Sequence, residues 1–392
     1  MLRFFSVICS FMLLCACGTA TLPIYSRSSE NESPLSVEEI PDVDLSMRYG
    51  RSFLTPEGKQ LYDAFYALAL SIDPEGSVNV PTGFTEADVK YLLSCFRDDN
   101  PEFYWMEPYY VVGAASVTSA ISYNISPHLD QAKILGRDAE ISKKAKLLLE
   151  GLEGNSADIV IQIHDRLANH ITYDSYYPDK TDIANIYGGL ADRTGVCDAY
   201  AKTIQYLLQQ LGMRCIYIRG TTNRGVPHAW NAVELDGVWH YIDLTWDDKE
   251  YLRHDYLLID NEEMAREHLW DISQYPLLPQ SEGSSDYYNR KGYTVQPGNT
   301  DGVLEQLASA YGKQFSSRAE NGDTVFLEVK VQGDKNQYEQ IKNLFFGNVF
   351  EVIGRMPRYL TENIRLRQME RVECNFNDAM HILTFFPEAD DI

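Results

Sequence analysis

Apolar positions recur at helical spacing in several stretches of the chain and crowd or alternate in strand fashion in others. Leu61, Phe65, Leu68 and Ile72 follow Thr55-Pro56, which reads as an N-cap and first helical residue. Val89, Leu92, Leu93 and Phe96 follow Thr85 and Asp88, a capping arrangement. The run DDNPEFYWMEPYYVVG then leads into strand-like sequence through Tyr123, its aromatics reading as packing under a loop rather than a cleft lining. A mostly polar helix covers roughly Leu129 to Glu150, and Gly151 and Gly154-Asn155 mark a boundary. Ile159, Ile163 and Leu167 predict a helix from Ser156. Ala201, Ile204, Leu208 and Leu211 predict another, closed by Gly212, with Cys197 at or near its first turn.

The segments CIYIRGTT, HAWNAVEL and VWHYIDLTW are rich in β-branched and aromatic residues and predict strands. Asp236-Gly237 between the last two is a two-residue hairpin signal. With that turn Leu235 pairs with Val238, His228 faces Thr245 and Trp230 faces Asp243. All four side chains share one face, and Asp243 is the diagonal neighbour of His228 at roughly 7 Å, a gap one imidazole bridges. Val233, Leu235, Val238, Ile242 and Leu244 take the opposite, buried face. Beyond Pro276-Leu-Leu-Pro279, the polar stretch SEGSSDYYNRKGYTVQPGNTDG reads as a linker. Leu304–Tyr311 and Tyr338–Ile353 then predict helices, and TVFLEVKV and MHILTFFP predict strands. There are no internal repeats and no transmembrane helix pattern.

Charge narrows the partners. Lys and Arg number 34 against 57 Asp and Glu, a net charge of −23. Such acidity argues against nucleic acid or anionic lipid, whose phosphates need clustered cations. Residues 1–16 read as a targeting segment in which Arg3 precedes a short apolar run, Phe4–Leu14. That run is too short to span a bilayer as a mature helix. Leu14-Cys15-Ala16-Cys17 resembles a bacterial lipobox, which implies a lipidated Cys17 as the first mature residue and an extracytoplasmic, lipid-anchored protein. The alternative is an ordinary signal peptide cut at a nearby small residue. Residues 17–41, rich in Ser, Glu and Pro, suit a flexible tether. The expected organisation continues with an N-terminal α/β region (42–150), a catalytic domain (151–279), a linker (280–300) and a small C-terminal α/β module (301–392).

Candidate chemistry centres on Cys197, His228 and Asp243. At a helix start the unpaired N–H groups and the macrodipole favour a thiolate, the reactive form of cysteine. A nucleophile, a base and an orienting carboxylate make a triad: Cys197 attacks a carbonyl, His228 holds and returns the proton, and Asp243 fixes the imidazole tautomer. Cys95, on the apolar side of a helix, and Cys215, at a strand start, read as core residues, and Cys374 as structural. Four widely separated cysteines do not predict a disulfide scaffold. His164 and His170 lack metal-site spacing, and no metal or cofactor motif is found.

GVCDAYA, HAWN and DGVWHYIDLTWDD, in that order, closely resemble the core motifs of the transglutaminase-like superfamily. The resemblance covers roughly residues 155–270, from IHDRLANHITYD to YLLIDNEEMAREH. It implies an α+β protein with a papain-like, transglutaminase-core catalytic domain, and a Cys–His–Asp triad at Cys197, His228 and Asp243. His164 resembles a family position but reads as structural. The backbone N–H of Cys197 is the expected first oxyanion donor, and a side chain supplies the second, with Tyr173, Asn185 and Tyr187 as open candidates. Transglutaminases of the family can use a tryptophan upstream of the cysteine for this. No tryptophan lies between Trp105 and Cys197, which favours hydrolysis over crosslinking. The expected function is therefore a surface-anchored cysteine enzyme acting on amide or peptide carbonyls of a protein or peptide substrate through a thioester, as a peptidase, deamidase or transamidase. The alternative is a non-catalytic surface module that uses the same fold to bind.

Overall fold

The computed structural model describes residues 44–113, 119–176, 181–275, 286–321, 326–357 and 372–387. The expected signal peptide, Cys17 and the tether lie outside them. Contacts divide the chain into two compact units, Met1–Arg219 with His228–Glu234, and Gly220–Pro227 with Leu235–Ile392.

In the first unit, local capping chemistry sets the helix starts. Thr55 caps α1 (Pro56–Ser71) by accepting the Gly58 N–H at 3.1 Å. Thr85 and Asp88 form a reciprocal capping box at α2 (Glu86–Asp99). Strands β1 (Val78–Asn79), β2 (Met106–Val111) and β3 (Ala120–Ile125) make an antiparallel sheet in the order β1-β3-β2. Phe65, Phe96, Phe103, Trp105 and Tyr123 interlock edge-on or stacked in the core beneath it. The first part of the aromatic run after Asp99 is thus packing, with Trp105 spent in it at 2% exposed, while Tyr109 further on is exposed. Helix α3 (Gln131–Leu149) follows, and Asn155 with Asp158 forms the capping box of α4 (Ser156–Ala168). Two-residue strands β4 (Thr172–Tyr173) and β5 (Thr194–Gly195) pair in parallel just before α5 (Cys197–Gln210).

Asp99 organises the N-terminal end of this unit. Its carboxylate, 4% exposed, accepts the N–H groups of Gly50 (2.8 Å) and Arg51 (2.9 Å) and the hydroxyl of Tyr62 (3.0 Å). Burial outweighs these bonds and pushes its acid from 3.8 up to about 6. The folded state therefore keeps a proton that the unfolded chain releases near pH 4, so this group's contribution to stability falls as pH rises from about 4 to about 6. Asp99→Asn, neutral throughout, should lose that slope. Urea midpoints at pH 4 and pH 7 check this: the variant should change less between them than the wild type, and parallel changes would contradict it.

A five-stranded sheet has the order β10-β6-β7-β8-β9, with β6 Cys215–Thr222, β7 Pro227–Leu235, β8 Val238–Ile242, β9 Leu257–Ile259 and β10 His268–Leu269. Asp236 and Gly237 turn the hairpin, both at positive φ (52° and 81°), as the sequence predicts. The expected strand beyond Ile242 does not form. The β8–β9 register shifts between Tyr241 and Ile242, and Leu258 takes φ 61° opposite. This bulge ends the ladder, so Asp243 becomes the N-cap of a single helical turn, Leu244–Asp247. The pairing of His228 with Thr245 and of Trp230 with Asp243 is therefore replaced by an exit from the sheet.

The second unit continues into the C-terminal region. The stretch read as a linker holds a short helix, α6 (Tyr287–Lys291), capped by Asp286, and a strand, β11 (Thr294–Val295). Residues 276–285 lie outside the described ones. β11 runs parallel to β12 (Leu327–Val331) in a sheet ordered β11-β12-β14-β13, with β13 Val372–Asn377 and β14 Ile382–Pro387. Helices α7 (Thr300–Asn321) and α8 (Lys335–Arg355) pack on it through Leu304, Tyr311, Ile341 and Phe345.

Strand β12 alternates in sequence, yet it is buried along its whole length. Leu327, Val329 and Val331 enter the apolar core, while Glu328 and Lys330, 0% and 5% exposed, enter a buried ionic network. Lys330 Nζ pairs with Glu263 and Asp286. Glu328 accepts the Tyr288 hydroxyl at 2.7 Å and lies 3.6 Å from Arg253 Nε. Arg253 also reaches Asp255 at 3.3 Å, and Asn377 donates to Asp255 at 2.7 Å. The C-terminal sheet is thereby fastened to the 253–267 stretch, whose Arg266 also donates to the Ala379 carbonyl at 2.8 Å.

Candidate active site

The loop before Cys197 is shaped by close backbone approach. Asn185 accepts the N–H groups of Tyr187 (2.8 Å) and Gly188 (3.2 Å), setting up a π-turn at Gly188–Asp192. A Cβ on Gly188 would lie 2.1 Å from the Asp182 carbonyl oxygen, and one on Gly195 would lie 2.4 Å from Ala199 Cβ. Only glycine lets β5 press so closely on the start of α5. Val196 is the N-cap and gives no side-chain cap, so Cys197 opens the helix as its first residue. It is half-buried, its Sγ 3.9 Å from Asp198 Oδ2.

His228 sits on β7, which is locked to α5 by its own side chains. Asn231 donates to the carbonyls of Ala201 (2.9 Å) and Ile216 (3.0 Å). Ala229 shares a cluster with Ala201, Tyr217 and Cys197. His228 is thus the residue before one that packs with the nucleophile candidate. Its imidazole is buried and stacked against Trp230, centroids 5.9 Å apart.

Asp243 lies in the second unit, 1% exposed. Its Oδ1 accepts the Trp246 N–H at 3.1 Å, and its Oδ2 is 2.9 Å from Nε2 of His268. Sequence reasoning gave His268 no role, although AREHLW falls in the motif-bearing stretch. It is fully buried on β10, which pairs His268 with Thr222, and Trp246 and Tyr256 enclose its ring at 4.4 and 5.7 Å.

The other candidates divide. Asn185 is consumed by the π-turn and by a 3.0 Å bond to Asp182. Tyr187 donates to Glu140 at 3.1 Å, with the Arg137 guanidinium 4.0 Å from its ring. Tyr173 stays near the start of α5: it pairs with Gly195, and its ring meets Tyr200 at 6.1 Å. His164, fully buried, holds Asp165 at 2.9 Å. Beside Cys197, Asp198 accepts the Tyr217 hydroxyl, and Lys202 Nζ lies 3.9 Å from the same carboxylate. Burial pulls the Lys202 ammonium down, against the upward pull of Asp198 and Asp98.

Residues 146–244 of this α+β chain match the family model of the transglutaminase-like superfamily. Mouse kyphoscoliosis peptidase is 33% identical over 61 residues, 13% of this chain and 9% of that protein's length. The crystal structure of a TGase is 16% identical, covering 43% of this chain and 50% of the other with a TM-score of 0.27. The periplasmic domain of TgpA from Pseudomonas aeruginosa, bound to ethylmercury, is 17% identical over 33% of this chain and 55% of the other, with a TM-score of 0.23.

All four described cysteines are thiols. Burial pushes Cys95 up to about 12 and Cys215 still higher, and it raises Cys374 as well. Native-state iodoacetamide near neutral pH should therefore label Cys197 well ahead of these three, with rates converging once the chain is denatured. Site-by-site mass mapping reads this. Faster native labelling at Cys374 or Cys95 would contradict it.

Proposed function

We propose that the chain is a cysteine enzyme acting on amide or peptide carbonyls, with Cys197 as nucleophile, His228 as proton carrier and Asp243 as the group that orients His228. The carrying observation is the half-buried Cys197 at the head of α5, with β7 packed on the same helix through Ala229, the residue after His228, and bonded to it through Asn231. Sulfur of Cys197 attacks the carbonyl carbon, and the tetrahedral intermediate collapses. The C–N bond breaks, and the departing amine takes a proton from His228. The thioester left behind is attacked by water or by an amine, whose proton passes to His228, and the Cys197 thiolate leaves. Water gives a carboxylic acid and an amine acceptor gives a new amide. Hydrolysis is the favoured branch, because Trp105 belongs to the N-terminal aromatic core and no other tryptophan precedes Cys197.

The Trp246 N–H and His268 both meet the Asp243 carboxylate and help hold it in one rotamer. A carboxylate accepts at about four lone-pair sites, which suits a group that orients an imidazole. His268 then acts behind Asp243 as a positioning residue.

Peptide and glutamine-amide panels test this. Cys197→Ala and His228→Ala should each abolish turnover. Asp243→Asn should lower kcat more than it raises KM, by less than the roughly 10⁴-fold seen when a serine triad loses its carboxylate, because sulfur depends less on its base than a hydroxyl does. Full biological function in Cys197→Ala would replace catalysis by the binding-module reading.

The proposed setting is the outer face of a bacterial membrane, with a protein or peptide of the cell envelope as substrate. The support is the Leu14-Cys15-Ala16-Cys17 sequence and the polar tether after it. Two acyl chains on Cys17 would anchor stably, where one is marginal. Cys17→Ser should move the protein to the soluble fraction or leave it unprocessed. Unchanged membrane partitioning with no acyl mass on Cys17 would rule out the anchor.

A further inference from the structure

We propose that Asp198 is a specificity-determining residue of this site, its Oδ2 oxygen selecting substrates with a cationic side chain beside the carbonyl that Cys197 attacks. The proposal rests on the reading of Cys197 as nucleophile and adds a substrate class to it, basic peptides over neutral or acidic ones.

Asp198 follows Cys197 in the first turn of α5, where a carboxylate favours the helix whatever its neighbour does. What sets it apart is how its two oxygens are used. Oδ1 accepts the Tyr217 hydroxyl and lies 3.9 Å from Lys202 Nζ. Oδ2 meets Cys197 Sγ at 3.9 Å, the outer reach of a sulfur hydrogen bond. One oxygen is therefore fastened to the protein, and the other stands against the nucleophile. Tyr217 is buried on β6 and shares a cluster with Cys197, so the group that pins the carboxylate is itself fixed beside the thiol.

The neighbouring cations are held away from Oδ2. Lys202 donates to the Ala184 carbonyl at 3.0 Å, which anchors its ammonium on the Oδ1 side. Arg219 pairs with Asp98 at 2.6 Å. The Asp198 side chain is 34% exposed and Cys197 is half-buried, so an arriving chain reaches both. A peptide whose carbonyl carbon bonds to Sγ carries its flanking side chains past an oxygen 3.9 Å from that sulfur. A lysine or arginine there meets an opposite charge, and a glutamate or aspartate meets a like one. The net charge of −23 adds long-range attraction for the same basic substrates.

The Nα-iodoacetyl derivatives of lysine amide, norleucine amide and glutamate amide read this preference at Cys197. Each alkylates sulfur by displacing iodide, and each sets a different side chain a few bonds from the sulfur. Ratios of rates within one protein cancel any change in the thiol, and the same reagents on N-acetylcysteine amide correct for intrinsic reactivity. Lysine should lead norleucine roughly fivefold in the wild type, the scale of a partly exposed ion pair, with glutamate slowest. Asp198→Asn should bring lysine and norleucine within about twofold, the remainder being long-range attraction that salt screens. A role in helix stability alone would slow all three reagents alike and keep the ratio. A wild-type ratio near one, or a ratio that survives Asp198→Asn, overturns the proposal. Peptide amides with lysine or norleucine beside the scissile bond separate this claim from the one beneath it. Turnover that needs Cys197 but keeps its lysine preference in kcat/KM in Asp198→Asn removes the specificity role and leaves the nucleophile standing. Turnover that persists in Cys197→Ala, or is missing from the wild type, sinks the nucleophile reading and the substrate selection with it.

Discussion

The close approach of β5 to the first turn of α5 is the constraint on which the candidate site depends. Cys197 can open the helix only because Gly195 has no side chain where Ala199 Cβ stands 2.4 Å from a would-be Cβ. β4 lies alongside β5, which brings Tyr173 to Gly195, just before the start of α5. Asn231 then ties β7 to the helix from the other side, through the Ala201 carbonyl. Small residues at 195, 199, 201 and 229 are therefore less a weak core than the clearance the chemistry needs. Larger side chains there would push the elements apart before they touched any substrate.

In the second unit an opposite strategy holds. Asp243 and His268 are almost fully buried, and a buried carboxylate is tolerated only where donors meet it. The elements that carry them are short: β10 has two residues, and the turn after Asp243 has four. Such elements have little stability of their own. The ionic network of Arg253, Asp255, Glu263, Glu328 and Lys330 fastens the intervening stretch to the C-terminal sheet. Removing one member of a buried pair leaves its partner charged and unmatched, which costs about 3–5 kcal/mol. The C-terminal region thus has a physical role: it braces the segment between Asp243 and His268.

What the sequence disclosed follows from how far apart the interacting groups lie. Thr55, Thr85 and Asp236-Gly237 act on neighbours within a few positions, and the caps and the hairpin turn stand where sequence reading puts them. The exit of Asp243 from β8 depends on a bulge against β9, whose residues lie some fifteen positions on, and hairpin arithmetic contains no such term. His268 meets Asp243 across 25 residues, from a strand too short to show any alternation. Glu328 and Lys330 alternate with Leu327, Val329 and Val331, a pattern that ordinarily marks a solvated face. Their burial follows from opposite charges supplied by Glu263, Asp286 and Arg253. Asp286 to Val295 was hidden by the Gly, Asn and Ser content of the polar stretch around it, although Tyr287 and Tyr288 are buried.

The choice between water and an amine as the acceptor turns on exposure more than on the triad. A thioester partitions according to what reaches it, and transfer to an amine requires water to be kept out while the amine is held. Cys197 is half-buried and Tyr173 is 46% exposed, so the acyl group would form at an open rim. Asp198 and Lys202 line the same turn and keep it hydrated, since each still exposes a quarter to a third of its side chain. An apolar lid would be needed to favour an amine, and the polar groups beside Cys197 work against one. The hydrolytic branch of the proposal is the one this surface supports.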